Sequence, residues 1–158
     1  MNIDSAGESV SVADNGRVIL AKDGADTIEM AFNSDSATVN AVNTTTDTLT
    51  AQLGSDFYKV AAYSFDVTMA DTDRVVFSFY IGDSTLKDLD FTIWRKATGE
   101  NEWSKADDIS DLSYDGEYLS FVVSYFSDYG YTVVPEPSTY AAIIGAISLC
   151  LVFSRRKR

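Results

Sequence analysis

RVVFSFYI, residues 74–81, is the stretch whose spacing decides the fold. Val75, Phe77, Phe79 and Ile81 share one side of an extended chain, and Arg74, Val76, Ser78 and Tyr80 share the other. Successive strand residues point to opposite faces, so this alternation buries one face and leaves the other half wet. Valine and phenylalanine suit such a pleated, half-buried surface. The stretch predicts a strand, and a strand with one apolar face needs paired neighbours and a second layer to cover it.

The same pattern extends in both directions. Residues 58–69 form a strand candidate that Asp71-Thr72-Asp73 closes. Gly82-Asp83 ends the quoted stretch, after which Leu89, Phe91 and Ile93 alternate again, with Trp94 opposite. Thr98-Gly99-Glu100-Asn101 turns the chain into a short segment, 102–105, around Trp103. Asp115-Gly116 introduces the longest candidate, 117–126, on which Leu119, Phe121, Val123 and Tyr125 share a face, and residues 129–134 close the set. Gly, Asp and Asn at these junctions are the residues that tolerate turn geometry. Short alternating strands with such punctuation predict an all-β fold, an antiparallel β-sandwich, over residues 51–134.

Residues 1–50 carry a weaker version of the pattern. Candidates at 10–13 and 17–21 flank Asp14-Asn15-Gly16, whose Asn-Gly step is a strong hairpin signal. Segments 28–32 and 37–42 follow, and the polar run 43–50 reads as strand or linker. Large apolar residues are too few here to bury a separate core, so 1–50 is expected to be a short-strand region ending a preceding β module. No helix is expected outside the C-terminal tail.

Charge and residue inventory exclude whole classes of chemistry. Twelve Lys+Arg stand against 24 Asp+Glu, for a net charge of −12. That balance opposes nucleic acid, and no nucleic-acid partner is expected. There are no histidines, and the one cysteine, Cys150, lies in the tail. Neither a Ser-His-Asp nor a Cys-His arrangement is therefore available to the β region. No zinc-ligand spacing or Gly-rich phosphate loop occurs either. The chain is expected to be non-enzymatic and to need no cofactor.

Two residue groups remain as binding candidates. Acids cluster in turns: Asp71 with Asp73, Asp107 with Asp108, and Asp83 with Asp88 and Asp90. None shows the alternating ligands, central Gly and distal Glu of an EF-hand loop, so they read first as solvated turn acids and second as a Ca²⁺ site. The nine Tyr, nine Phe and two Trp read first as core and edge filling. Their second reading is a sugar-stacking platform, for which Trp94, Trp103 and Tyr118 are the candidate ligand-facing aromatics, with Tyr114, Tyr125, Tyr129 and Tyr131 around them.

The tail, residues 135–158, is built differently: PEPSTYAAIIGAISLCLVFSRRKR. Pro135, Glu136 and Pro137 hold the chain extended, because proline fixes its own φ and restricts the residue before it. Ser138 to Ser154 is uncharged and mostly apolar, and as a helix it satisfies its own backbone in lipid. Its length sits at the short end of spanning helices. Tyr140 stands where an interfacial aromatic would, and Arg155, Arg156, Lys157 and Arg158 hold the end on the cytoplasmic side. A single C-terminal transmembrane helix is expected.

In its order and spacing this tail resembles the PEP-CTERM sorting signal of Gram-negative bacteria. The resemblance covers Pro135-Glu136-Pro137, the following Ser138, the apolar run and the terminal Arg/Lys cluster. It implies a substrate of an exosortase, a membrane-embedded processing enzyme that recognises Pro135, Glu136 and Pro137, while Arg155 to Arg158 set topology and stop transfer. It also implies transient residence in the inner membrane, then the cell envelope, surface or extracellular space, with membrane lipid and exopolysaccharide of the biofilm matrix as further partners. Trp103 with residues 113–121 and 126–131 looks like the terminal β domain often placed before this signal. Met1 to Glu8 has no basic, apolar or cleavage region of a leader, so the chain is expected to be the C-terminal piece of a longer exported protein. The function expected is that of a non-enzymatic surface or matrix segment carrying a sorting and anchor signal. The alternatives are a carbohydrate- or matrix-binding module and an accessory domain of a larger secreted hydrolase.

Overall fold

Arg74–Tyr80 is the middle strand of a five-stranded antiparallel sheet, with its apolar face turned inward. The computed structural model describes residues 1–4, 7–13, 15–22, 26–33, 36–54, 56–70 and 74–134. In chain order these hold β1 (Val10–Ala13), β2 (Arg17–Lys22), β3 (Asp26–Asn33), β4 (Ser36–Thr44), α1 (Thr46–Leu53), β5 (Lys59–Thr68) and β6 (Arg74–Tyr80). A 3₁₀ turn (Ser84–Leu86), β7 (Phe91–Lys96), β8 (Ser104–Lys105), β9 (Ser110–Tyr114), β10 (Tyr118–Val123) and β11 (Asp128–Val133) complete them.

The strands form two antiparallel sheets, one in the order β2-β3-β6-β10-β9 and one of six strands in the order β1-β4-β5-β11-β7-β8. Val75, Phe77, Phe79 and Ile81 are all buried, at 0, 0, 2 and 6% exposure, as their alternation predicts. Leu119, Phe121 and Val123 of β10 join them, and Tyr63, Phe65, Tyr129 and Tyr131 face them from the six-stranded sheet. Rings interlock between the layers: Phe65 lies 4.7 Å from Phe77, and Tyr129 and Tyr131 lie 5.7 and 5.9 Å from Phe77 and Phe79. Each such buried side chain contributes about 1.5–3 kcal/mol over its exposed state, so this aromatic layer is the main adhesive between the sheets.

The division expected at residue 50 does not run through this core. β3 pairs with β6 in the five-stranded sheet and β4 pairs with β5 in the six-stranded sheet. The first fifty residues, too poor in large apolar groups to bury themselves, complete the flanks of a core whose rings come mostly from 63–131. Ile3, 4% exposed, closes the end between the layers. The segment ties β2 of one sheet to β4 of the other: Ile3 N–H donates to Ala21 O at 3.3 Å and Asp4 N–H to Val42 O at 2.6 Å.

Three further expectations are corrected. The Asn15-Gly16 step is not a hairpin, because β1 pairs with β4 and β2 pairs with β3, placing the two strands in different sheets. Asn15, at φ 52, supplies the left-handed residue that either kind of turn needs. Long-range pairing, which no local motif encodes, decides between them. Residues 46–53 form a helix rather than strand or linker, with Leu49 fully buried against the six-stranded sheet. Tyr125 lies past the end of β10 and is 54% exposed, so it leaves the face it was expected to share with Phe121. Among the described residues no helix is long and apolar enough to cross a membrane; the expected spanning run, 138–154, lies outside them.

Candidate functional site

The two sheets have very different outer faces, and that difference locates the candidate site. On the six-stranded sheet, α1 lies over β5 and β11 at Ala62 and Gly130. A Cβ on Gly130 would sit 2.7 Å from Ala62 Cβ and 2.9 Å from Leu49 Cδ2, so glycine is what lets the helix approach. The helix is then stapled down. The Ala62 N–H donates to Thr46 Oγ1 at 3.0 Å, and the Gln52 side-chain amide pairs with the Trp103 backbone through bonds of 2.6 and 2.8 Å.

Trp103 therefore is not a ligand-facing aromatic. It is 4% exposed beneath α1, its indole N–H donating to Thr48 Oγ1 at 3.2 Å and its ring covered by the Lys96 ammonium 5.2 Å from the centroid. Trp94 packs half-buried against the same cluster and donates to Thr132 Oγ1 at 2.9 Å. Tyr129 and Tyr131 belong to the core, where burial pushes both phenols well above the ordinary tyrosine range. The aromatics named from the sequence do not assemble into one platform.

Tyr118 is different. It stands half-buried on the outer face of the five-stranded sheet, which no element among the described residues covers, directly across from Tyr80, with ring centroids 5.2 Å apart. Tyr80 is 39% exposed, and its ring lies over Gly82, where an added Cβ would come 2.7 Å from the phenolic oxygen. Gly82 also has φ 63, so that position favours glycine on two counts. The pair is held from below: Asp115 Oδ1 accepts from Tyr118 N–H at 2.7 Å and Glu117 N–H at 2.8 Å. These two bonds hold the Asp115 carboxyl below the usual carboxylate range.

Strand register continues the face away from the tyrosines. The next rung is Ile19, Glu29, Ser78, Ser120 and Ser113, with Ser78 and Ser120 hydroxyls 2.9 Å apart. The rung after it is Ala31, Val76 and Val122. Charge on this face is sparse: Arg17 and Glu29 pair at 2.7 Å, and Arg74 stands at its far end. Tyr80 escaped the sequence reading because alternation assigns a face but not a cross-strand partner.

A separate groove of about 440 Å³ opens where β5, β7 and β11 meet the loop 97–100. Its floor is the Lys96–Asp128 ion pair at 2.7 Å, and Asp66, Glu100 and Phe126 line its sides. It is polar and open, and it brings together no nucleophile, base and oxyanion donors of the kind acyl transfer requires.

Two of the acidic candidates, Asp83 and Asp108, have structural partners. Asp83 Oδ1 caps the 3₁₀ turn, accepting from the Thr85 hydroxyl at 2.6 Å and N–H at 3.1 Å. Asp108 pairs with Arg95 at 3.0 Å. Asp71 and Asp73 lie outside the described residues, and among the described residues no three metal-capable side chains converge. Pro135, Glu136, Pro137 and Arg155, Arg156, Lys157 and Arg158 also lie outside them. No family model, curated protein or solved structure matches the chain.

Proposed function

We propose that this chain is the displayed, non-enzymatic part of an exported bacterial surface or matrix protein. In this reading the two sheets form an antiparallel β-sandwich, and residues 135–158 are a PEP-CTERM-type sorting and anchor segment with one short membrane-spanning helix. The observation that carries the reading is the ordered tail itself: Pro-Glu-Pro, then an uncharged apolar run, then four consecutive cations.

The mechanism follows from the physics of each part. The apolar run halts in the inner membrane, and the terminal cations hold its end on the cytoplasmic side. Pro135 and Pro137 keep the intervening chain extended, a form a processing enzyme can bind as a strand. β11 ends at Val133, with Tyr58 N–H donating to Val133 O at 2.8 Å, and the motif follows in the sequence at Pro135.

Fractionation tests this. In the native host, Glu136→Ala is expected to hold the protein in the inner-membrane pellet, while the wild type distributes to outer-envelope and secreted fractions. Identical distribution of the two proteins counts against the reading.

A further inference from the structure

We propose that the outer face of the five-stranded sheet, centred on Tyr80 and Tyr118, binds an uncharged polysaccharide strand. Four observations converge on it. Among the described residues no element covers the face, whereas the opposite outer face carries α1. It carries a pair of tyrosine rings set side by side by cross-strand register, with Gly82 leaving room for the Tyr80 ring. A rung of hydroxyls from Ser78, Ser120 and Ser113 runs beside the rings, and a rung of Ala31, Val76 and Val122 runs beside that. Successive rungs are two residues apart, or roughly 7 Å along the strands.

The chemistry selects the ligand. Sugar rings present apolar C–H faces, which lie on aromatic rings, and equatorial hydroxyls, which bond to serine hydroxyls. A face built of rings, hydroxyls and small aliphatic groups matches both. Charge narrows the choice further. The chain has a net charge of −12, yet the outward positions of this sheet hold little beyond the Arg17–Glu29 pair and Arg74. Asp115 and Glu117 adjoin the tyrosine end. An anionic polymer meets repulsion from Asp115 and Glu117 at the tyrosine end, while the two cations of the face lie away from the rings, Arg17 paired with Glu29 and Arg74 at the far end. A neutral glycan meets neither obstacle. Strand addition is a different mode, and it would use the sheet edges rather than this face.

Affinity electrophoresis of the full 158-residue chain in mild detergent tests the proposal, with hydroxyethylcellulose as the neutral glycan and alginate as the anionic one. Retardation by the neutral polymer and none by alginate is expected. Tyr80→Ala and Tyr118→Ala should each weaken binding about tenfold, a change worth about 1.4 kcal/mol, whereas Tyr118→Phe should bind like the wild type because its ring remains. Two results overturn it. One is undiminished retardation of a folded Tyr80→Ala/Tyr118→Ala double variant. The other is absence of neutral-glycan retardation together with a dimer, seen by sedimentation, that Val76→Arg dissociates; the face then belongs to a second copy of the chain. Binding by the purified chain does not depend on processing of its tail, so failure here leaves the sorting proposal standing, and the reverse also holds.

Discussion

The phenol of Tyr114 lies within hydrogen-bond reach of three backbone groups: Asp83 O at 2.8 Å, Gly116 O at 2.9 Å and Asp83 N at 3.3 Å. One hydroxyl thus joins the turn after β6 to the turn before β10, while its ring packs 4.7 Å from Phe91. Tyr114→Phe keeps the ring and strands these groups, so a loss of about 1–3 kcal/mol is expected in denaturant unfolding. A second residue-scale prediction concerns acid. Hydrogen bonds hold three carboxyls below their ordinary range: Asp4 through Lys22 and Thr44, Asp83 through Thr85, and Asp115 through Tyr118 and Glu117. A depressed folded pKa means stabilisation that is complete above the unfolded value and is lost as pH falls through the folded one. Thermal midpoints should therefore hold steady down to about pH 4 and fall below it, near the unperturbed carboxylate values. Asp115→Asn, which keeps an acceptor but cannot titrate, should flatten part of that fall. An unchanged acid profile would remove Asp115 from the account.

At the scale of elements, α1 and its glycine seat make the sharpest case. Gly130→Ala places a methyl 2.8 Å from Ala61 O as well as against Ala62 and Leu49, so strand or helix must move. A cost of about 1–3 kcal/mol is expected, with a red shift of tryptophan emission as Trp103 loses its cover. An unshifted spectrum in a destabilised variant would show that the helix had held and the strand had yielded. This element also marks where sequence reasoning stopped. Val75, Phe77, Phe79 and Ile81 announced β6 because their burial is a period-2 pattern within one segment. Thr46, Thr48 and Thr50 are weak helix formers, and the helix they occupy is fixed by Gln52 on Trp103 and Thr46 on Ala62. Contacts across 16 and 51 residues leave no local trace. β9 was hidden for another reason. Its Ser110 to Leu112 are exposed edge residues with a register shift opposite Ser120 and Val122, so no apolar alternation marks them. Of the aromatics named as ligand-facing, Tyr118 kept an outward place and Trp103 did not; alternation assigns rings to a face, and only long-range packing, here α1 over Trp103, decides which of them are covered.

For the whole molecule, one core spanning both sheets implies one cooperative unit. Far-UV and near-UV melting curves should coincide. A fragment beginning at residue 51 should fail to fold, since β6 loses β3 and β5 loses β4. A fragment with a native-like melt would restore the boundary at residue 50. The proposed display is compatible with this unit, whose described residues contain no cysteine and so no disulfide. The tail claim stands apart from the fold and is tested most directly at the protein's own end. Intact mass and C-terminal peptide mapping of the native protein, from envelope and secreted fractions, read the mature terminus. The account predicts a chain ending at or near Pro135-Glu136-Pro137, without Arg155 to Arg158, and retention of those residues in a Glu136→Ala variant. An intact Arg158 in every fraction of the wild type would contradict it.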